Sequence, residues 1–176
     1  MRLMTRFAPA AFLAALPLLF LSAAEEENQP WKRPVGYAPK QPIAYSHKTH
    51  VALGLKCNGC HTASGEGFQM SFPKEAFCMG CHSSVKTDSP EIAKLAEAAK
   101  TKTPVPWERV YRTMDIVWFS HASHVKEAKI ECAECHGDVA QMTVVSKFRP
   151  LNMKDCMDCH AERNANNGCD FCHASQ

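Results

Sequence analysis

The stretch F-S-H-A-S-H-V-K-E-A-K-I-E-C-A-E-C-H, residues 119–136, decides how the chain is read. His121 and His124 stand three apart, and a Cys-x-x-Cys-His begins eight residues after the second. That pentapeptide is the attachment pattern of a c-type haem. Cys132 and Cys135 each add a thiol to a haem vinyl group, and His136 sits where it can ligate the iron from the same side. The iron then wants a sixth ligand on its other face, and the upstream histidine pair is a supply of imidazoles. Residues 45–61 repeat the arrangement, Y-S-H-K-T-H-V followed by C-N-G-C-H. The chain therefore reads as a duplicated haem-binding unit.

Cysteine usage extends the pattern. All ten cysteines fall into five Cys-x-x-Cys pairs, each followed by histidine: Cys57/Cys60/His61, Cys78/Cys81/His82, Cys132/Cys135/His136, Cys156/Cys159/His160 and Cys169/Cys172/His173. With nine histidines in 176 residues, five such coincidences by chance have a probability of roughly 3 × 10⁻⁷. Structural zinc has no use for a histidine fixed after every pair. Disulfide frameworks do not place every cysteine in i, i+3 pairs. Five covalently bound haem c groups are expected, with iron as the metal.

The charge balance excludes a basic, nucleic-acid-binding reading. The chain carries 20 basic and 18 acidic residues, but Arg2 and Arg6 belong to an expected leader, which leaves the remainder neutral. The propionates of five haems would take the oxidised holoprotein to about −5 and the reduced form to about −10.

Along the chain, residues 1–24 read as a secretory leader. Arg2 and Arg6 form its positive start, Phe7 to Leu21 its apolar run, and Ser22-Ala23-Ala24 a small-residue cleavage site. An uncleaved N-terminal anchor is the alternative, with membrane association through residues 7–24 or a partner. Either places the rest of the chain in the periplasm or on the extracytoplasmic face of the membrane. Residues 25–42, with four prolines and no apolar periodicity, read as an extended, mobile linker. Residues 43–100 form a first dihaem unit, with Gly65, Gly67 and Pro73 marking a loop inside it. Its clearest helix starts at Ser89 (N-cap) and Pro90 (N1) and carries Ile92, Leu95, Ala96 and Ala99 at helical spacing. Thr101 to Pro106 is expected to end it, since two prolines two residues apart favour an extended segment. Residues 101–116 form a linker in which Arg109 and Arg112 either pair with haem propionates or lie in solvent. Residues 117–176 hold the second dihaem unit and the fifth site.

About 30 mature residues per haem leaves little for a conventional core, so the porphyrins are expected to serve as the apolar interior. The expected fold is mostly irregular with short α-helices, a haem-dependent multihaem cytochrome c fold built from a duplicated dihaem unit plus a C-terminal fifth haem. Five six-coordinate irons need ten axial ligands, and there are nine histidines. Five belong to the attachment motifs, leaving His47, His50, His121 and His124. Four bis-histidine haems and one odd haem follow. A methionine is the natural candidate for the odd position, because thioether is an established haem ligand that raises the potential. Met142 is the first candidate and Met153 the second, with Met70 and Met114 behind.

The spacing of H-x-x-H ahead of paired attachment sites resembles the class III multihaem cytochromes. More narrowly, I-A-Y-S-H-K-T-H-V, C-M-G-C-H-S, K-T-D-S-P-E-I, P-W-E-R-V-Y-R, V-W-F-S-H-A-S-H-V and C-M-D-C-H are similar to the pentahaem cytochrome subunit of alternative complex III. The resemblance covers residues 42–161 and is most specific over 107–125. It implies an electron-transfer subunit of a membrane quinol-oxidising assembly. The family subunit is usually held by an uncleaved transmembrane helix, whereas Ser22-Ala23-Ala24 here looks cleavable.

Three functions follow for comparison. The first is a periplasmic electron carrier of a respiratory chain, with redox proteins as partners and no enzymatic activity of its own. The second is an obligate subunit of a quinol-oxidising complex. The third is a haem reductase of a small nitrogen or sulfur compound at an open iron, for which no spare histidine exists. The intact mass of the mature protein should equal the chain from Glu25 plus five haems. A preparation holding zinc and no haem absorbance would refute the haem reading.

Overall fold

The computed structural model describes residues 29–64 and 69–173. The expected leader, the start of the lead-in and the glycines at 65 and 67 lie outside the described residues. The helices are α1 (His47–Val51), α2 (Cys57–Cys60), α3 (Glu75–His82), α4 (Pro90–Thr101), α5 (Cys132–His136), α6 (Met153–Glu162) and α7 (Cys169–Cys172). Two short strands, β1 (Ala63–Ser64) and β2 (Gln69–Met70), pair antiparallel. The Cys-x-x-Cys of every attachment motif lies within a helical turn. Residues three apart on a helix share a face, so each turn presents both thiols on one side.

The two H-x-x-H segments differ in a way that the spacing explains. From the second histidine to the first cysteine is seven residues in the first stretch and eight in the second. His47 and His50 lie on the α-helical α1, but Ala122–Glu127 forms a π-helical turn, with the Ala128 N–H donating to the Ser123 carbonyl five residues back at 2.9 Å. A wider turn absorbs one extra residue without displacing what flanks it.

Helix α4 runs as its sequence predicts, with Pro90 at N1 and its last residue at Thr101, but its start is held differently from expectation. Ser89 sits at the N-cap in an extended conformation, and its hydroxyl makes no capping bond. Glu91 ties the first turn down instead, accepting from the Ala44 N–H at 2.8 Å and from Lys94 Nζ at 2.6 Å. The helix stops at Lys102, which is left-handed at φ 55°, before either proline is reached.

The buried apolar core among the described residues is Ile43, Leu95 and Val105. Cys78, Met79, Ile92, Ala98 and Trp107 pack around it. Val105 comes from the expected linker, and its N–H donates to Glu75 Oε1 at 2.8 Å, so that segment is a wall of the core. The lead-in is likewise pinned from residue 29 onward. Gln41 Nε2 donates to the Glu108 carbonyl at 2.8 Å, and the Glu108 N–H returns a bond to Gln41 Oε1 at 3.0 Å. Arg33 pairs with Glu108 at 2.5 Å. Side-chain bonds of this kind leave no periodicity in the sequence, which is why the sequence alone suggests a mobile segment. No helix among the described residues is long and apolar enough to cross a membrane.

With so small a core, each member matters. Leu95 is 5% exposed, and Leu95→Ala should cost about 2–4 kcal/mol. Denaturant unfolding of the haem-loaded protein checks this, and an unchanged midpoint would show that the porphyrins alone hold the unit together.

Candidate haem sites

All nine histidines are half-buried, and eight of them face each other in pairs. His47 and His61 have ring centroids 6.2 Å apart with planes at 14°. His121 and His136 are 6.4 Å apart at 9°. His50 and His82 are 6.1 Å apart at 57°, and His124 and His160 6.0 Å apart at 31°. A metal–imidazole bond of about 2 Å on each side, with the half-width of each ring, spans about 6.4 Å. The four separations therefore fit one iron between each pair. Among the described residues no three His, Cys, Asp or Glu side chains converge as they would on a bare metal ion. Pairs facing across a gap, each beside two thiols, suit a porphyrin iron.

Second contacts aim the rings. Nδ1 of His50 donates to the Ser46 carbonyl at 2.8 Å, and Nδ1 of His124 to the Ser120 carbonyl at 2.7 Å. On the attachment side, Nδ1 of His61, His82, His160 and His173 donates to the carbonyls of Ser71, Val85, Asn166 and Ile116 at 2.7–3.2 Å. A bond at Nδ1 fixes the tautomer that leaves the Nε2 lone pair for a metal. Burial, reinforced by neighbouring imidazoles, pushes His47 and His136 down to about 4. Both rings are neutral and ligand-competent above that pH.

Aromatic rings complete the arrangement, and sequence reasoning does not mark them as site residues. Tyr45 stacks on His50 at 4.3 Å and meets His47 edge-on at 4.8 Å. Phe119 does the same to His124 at 4.6 Å and His121 at 4.8 Å. A signal is nevertheless present: an aromatic stands two residues before each H-x-x-H. On the attachment side, Tyr111 is edge-on to His136 at 4.8 Å and Phe72 to His61 at 6.1 Å.

None of the ten cysteines is joined in a disulfide, and their exposure divides them. Cys60, Cys78, Cys135, Cys156, Cys159 and Cys172 are half-buried, whereas Cys57, Cys81, Cys132 and Cys169 are exposed. The chain itself leaves these four thiols uncovered. The reason is local. In the first, third and fifth motifs the leading cysteine starts a turn of four or five residues at the surface, with little chain packed over it. The second motif reverses the order. Helix α3 turns Cys78 onto the Ile43, Leu95 and Val105 core, and Cys81, near its end, faces outward. Cys81 is still a full turn from its partner on the same face, as a thioether to one porphyrin edge requires.

The thiols also show which sites are neighbours. Burial raises Cys78, and Cys60 raises it further. Cys132 is raised by burial and then by Cys57. Cys135 is raised by burial against the opposing Arg149, with Cys159 adding to the rise. Cys156 is raised by burial, then by Asp155 and Cys172. Such mutual effects need groups within several ångströms of each other. Numbered by attachment motif, the sites therefore follow the order two, one, three, four, five through space, which is not chain order.

The fifth site stands apart. The carbonyl of Cys172 accepts from the Trp118 N–H at 2.8 Å, and His173 bridges to Val117. The four upstream histidines face His61, His82, His136 and His160, so His173 has no partner imidazole. The Met142 carbonyl accepts from the Lys48 N–H at 3.0 Å, and the turn before it packs on α1. Met153 is an exposed residue at the start of α6. Met70 lies in β2, and the Met114 carbonyl accepts from the Val117 N–H at 3.0 Å. Arg112 pairs with Asp115 at 3.3 Å, and Arg109 lies over the Phe72 ring at 4.8 Å.

Comparison with known proteins bears on the same residues. Residues 117–174 match the family of cytochrome c7 and related cytochrome c. The menaquinone reductase multihaem cytochrome c subunit of Nitratidesulfovibrio vulgaris strain Hildenborough is 33% identical over 162 residues, 76% of this chain and 77% of its own. The chain belongs to the multihaem c-type cytochromes. Covalently attached haem and electron transfer come with that family. The relative is named for a menaquinone reductase, so the comparison does not support alternative complex III specifically.

Replacing His47, His50, His121 or His124 by alanine should each convert one low-spin centre to high-spin in the oxidised protein. Electron paramagnetic resonance should also divide the four, because near-parallel imidazole planes at His47/His61 and His121/His136 give more rhombic signals than the tilted planes at His50/His82. Four substitutions that all left the low-spin signals intact would disprove the pairing.

Proposed function

We propose that this cytochrome carries five haems on the extracytoplasmic side of a membrane and passes single electrons as a subunit of a quinone-linked respiratory complex. The observation that carries it is the set of four imidazole pairs at iron-spanning separations, with a fifth attachment site in line behind them. Each haem supplies, when bound, a one-electron ferric–ferrous couple. The chain's part is to hold the ligands at fixed separation, keep Nε2 unprotonated, and set neighbouring sites close enough for transfer.

The membrane partner is supported by the relative, named as a menaquinone reductase subunit, and by the resemblance to a quinol-oxidising subunit. Both make a multihaem cytochrome of this kind part of a quinone-linked assembly, and the same row of sites serves either direction of flow. Native protein purified from membranes should bring further subunits with it, and a menaquinol analogue should change its haem oxidation state only in that assembly. Recovery as a single soluble chain from the extracytoplasmic fraction would favour the free carrier.

On this reading the odd centre is the one at Cys169, Cys172 and His173, because the four upstream histidines face the other four attachment histidines. Cys169→Ser with Cys172→Ser should remove one haem and the one signal that is not bis-histidine, leaving four. Met142 is the first candidate for the position opposite His173. A histidine–methionine charge-transfer band lost in Met142→Ala would show that it binds there. Nitrite or cyanide binding at that centre would shift weight to the reductase reading.

A further inference from the structure

Arg149 is placed where the third and fourth attachment motifs meet. Its Nη1 donates to the Glu134 carbonyl, inside the third motif, at 3.3 Å. Its Nη2 donates at 2.8 Å to Oδ1 of Asp155, the residue before the first cysteine of the fourth. Glu134 in turn pairs at 3.4 Å with Arg163, the residue that closes α6. Helix α3 of the first unit rests on the Ile43, Leu95 and Val105 core, whereas these charged side chains join α5 to α6. A planar guanidinium holds two acceptors in a fixed geometry, so Arg149 ties the two motifs at a set spacing.

The pair is also an electrostatic element. Asp155 is 17% exposed, and its Oδ2 is buried with no hydrogen-bond partner among the described residues. A carboxylate so placed depends on its counter-charge, and Arg149 supplies it. The turn between them carries Leu151 in the left-handed region at φ 47°, an uncommon state for a bulky side chain. The thiols at the junction feel both charges. Burial raises Cys135 and Arg149 opposes the rise, while Asp155 adds to the rise that burial gives Cys156. Arg149 is held up first by its bond to Asp155, with Cys135 and Cys159 contributing. These thiols are the atoms that would join the two porphyrins, so the charges lie at the attachment edges of both sites.

We propose that Arg149 and Asp155 are positioning residues for electron transfer, a balanced charge pair that holds the third and fourth sites together and keeps a lone charge from biasing either potential. This rests on the haem reading above. In a partly desolvated junction each charge acts on the irons with reduced screening. A cation favours ferrous iron and a carboxylate favours ferric. Together they cancel, and alone each moves both sites.

The test is a set of redox titrations on the fully loaded protein. Arg149→Gln should lower two centres and Asp155→Asn should raise the same two, each by about 59 mV, a tenfold change in the reduced-to-oxidised ratio. Those centres should be the ones that His121→Ala and His124→Ala turn high-spin. Arg149→Lys, which keeps the charge, should hold both potentials, and the double variant Arg149→Gln with Asp155→Asn should restore them. Loosened packing alone would move both single variants in one direction. Shifts of the same sign would therefore overturn the proposal, as would unchanged potentials or shifts confined to other centres. If Arg149→Gln does not mature, Asp155→Asn and the double variant decide the matter by the same signs. Absence of haem from the wild-type protein would instead refute the underlying reading, so the two failures are distinguishable.

Discussion

Two imidazoles held about 6 Å apart, the span of one iron between them, are the constraint on which the rest of this structure depends. Four such pairs occur in a chain whose buried apolar core among the described residues is Ile43, Leu95 and Val105. The polypeptide's own contribution to those distances comes from local devices. A helical turn aligns the two thiols of each motif, a backbone carbonyl takes Nδ1 of His50, His61, His82, His124, His160 and His173, and an aromatic ring lies against both histidines of each upstream pair. Each device acts close to the ligand it serves, so the geometry survives in a fold with little regular structure. Gly137 shows the tolerance. It is left-handed at φ 71° and has the Phe148 ring against it, and any side chain there would push that ring away from its place beside the third site.

One turn of helix serves two sites at once. His47 and His50 are three apart on α1, yet they face His61 and His82, which belong to different attachment motifs. His121 and His124 do the same for His136 and His160. A pair of ligands from a single turn forces its two sites to be neighbours, and Tyr45 or Phe119 fills the angle between the rings. The close approach of Cys57 and Cys132 then joins the first site of one stretch to the first site of the other. Chain order is lost for that reason: equivalent sites meet in the middle, and the second sites are left outside.

Much of this is legible in the sequence because it is stoichiometric. Counting histidines against axial positions gives four pairs and one odd site with no knowledge of geometry. Counting does not say which site is odd, because that depends on which ring each upstream histidine faces. The preference for Met142 follows loop length, whereas a backbone bond to Lys48 sets that residue against α1. Nor does the Cys-x-x-Cys spacing tell which thiol of a pair the chain covers, since the packing of the whole turn decides between Cys78 and Cys81. The α4 helix is readable from Pro90 and its apolar spacing. How its start is held is not, because Glu91 reaches back to Ala44, a contact across 47 positions. Gln41 and Arg33 tie the lead-in to residue 108 in the same unpatterned way. The π-helical turn does have a signal, since the difference in spacing between the two stretches is the one residue that it absorbs.

The position of the odd site bears on what the row of centres can do. On the proposed ligation, sites one and three lie in the middle, with near-parallel ligand planes and with His47 and His136 strongly desolvated. Transfer through such a pair of similar environments carries little intrinsic direction. Site five is a different case. It meets site four through Cys156 and Cys172, it is tied to residues 116–118, and it has no second imidazole. A weaker donor opposite His173 would favour the ferrous state there. An energetically distinct centre at one end of a row, with one neighbour inside the protein, is where an electron is held before it is exchanged with another chain. With five haems so ligated, the asymmetry that nine histidines would impose on ten positions falls at an end, where it can give direction, and not in the middle, where it would trap the electron.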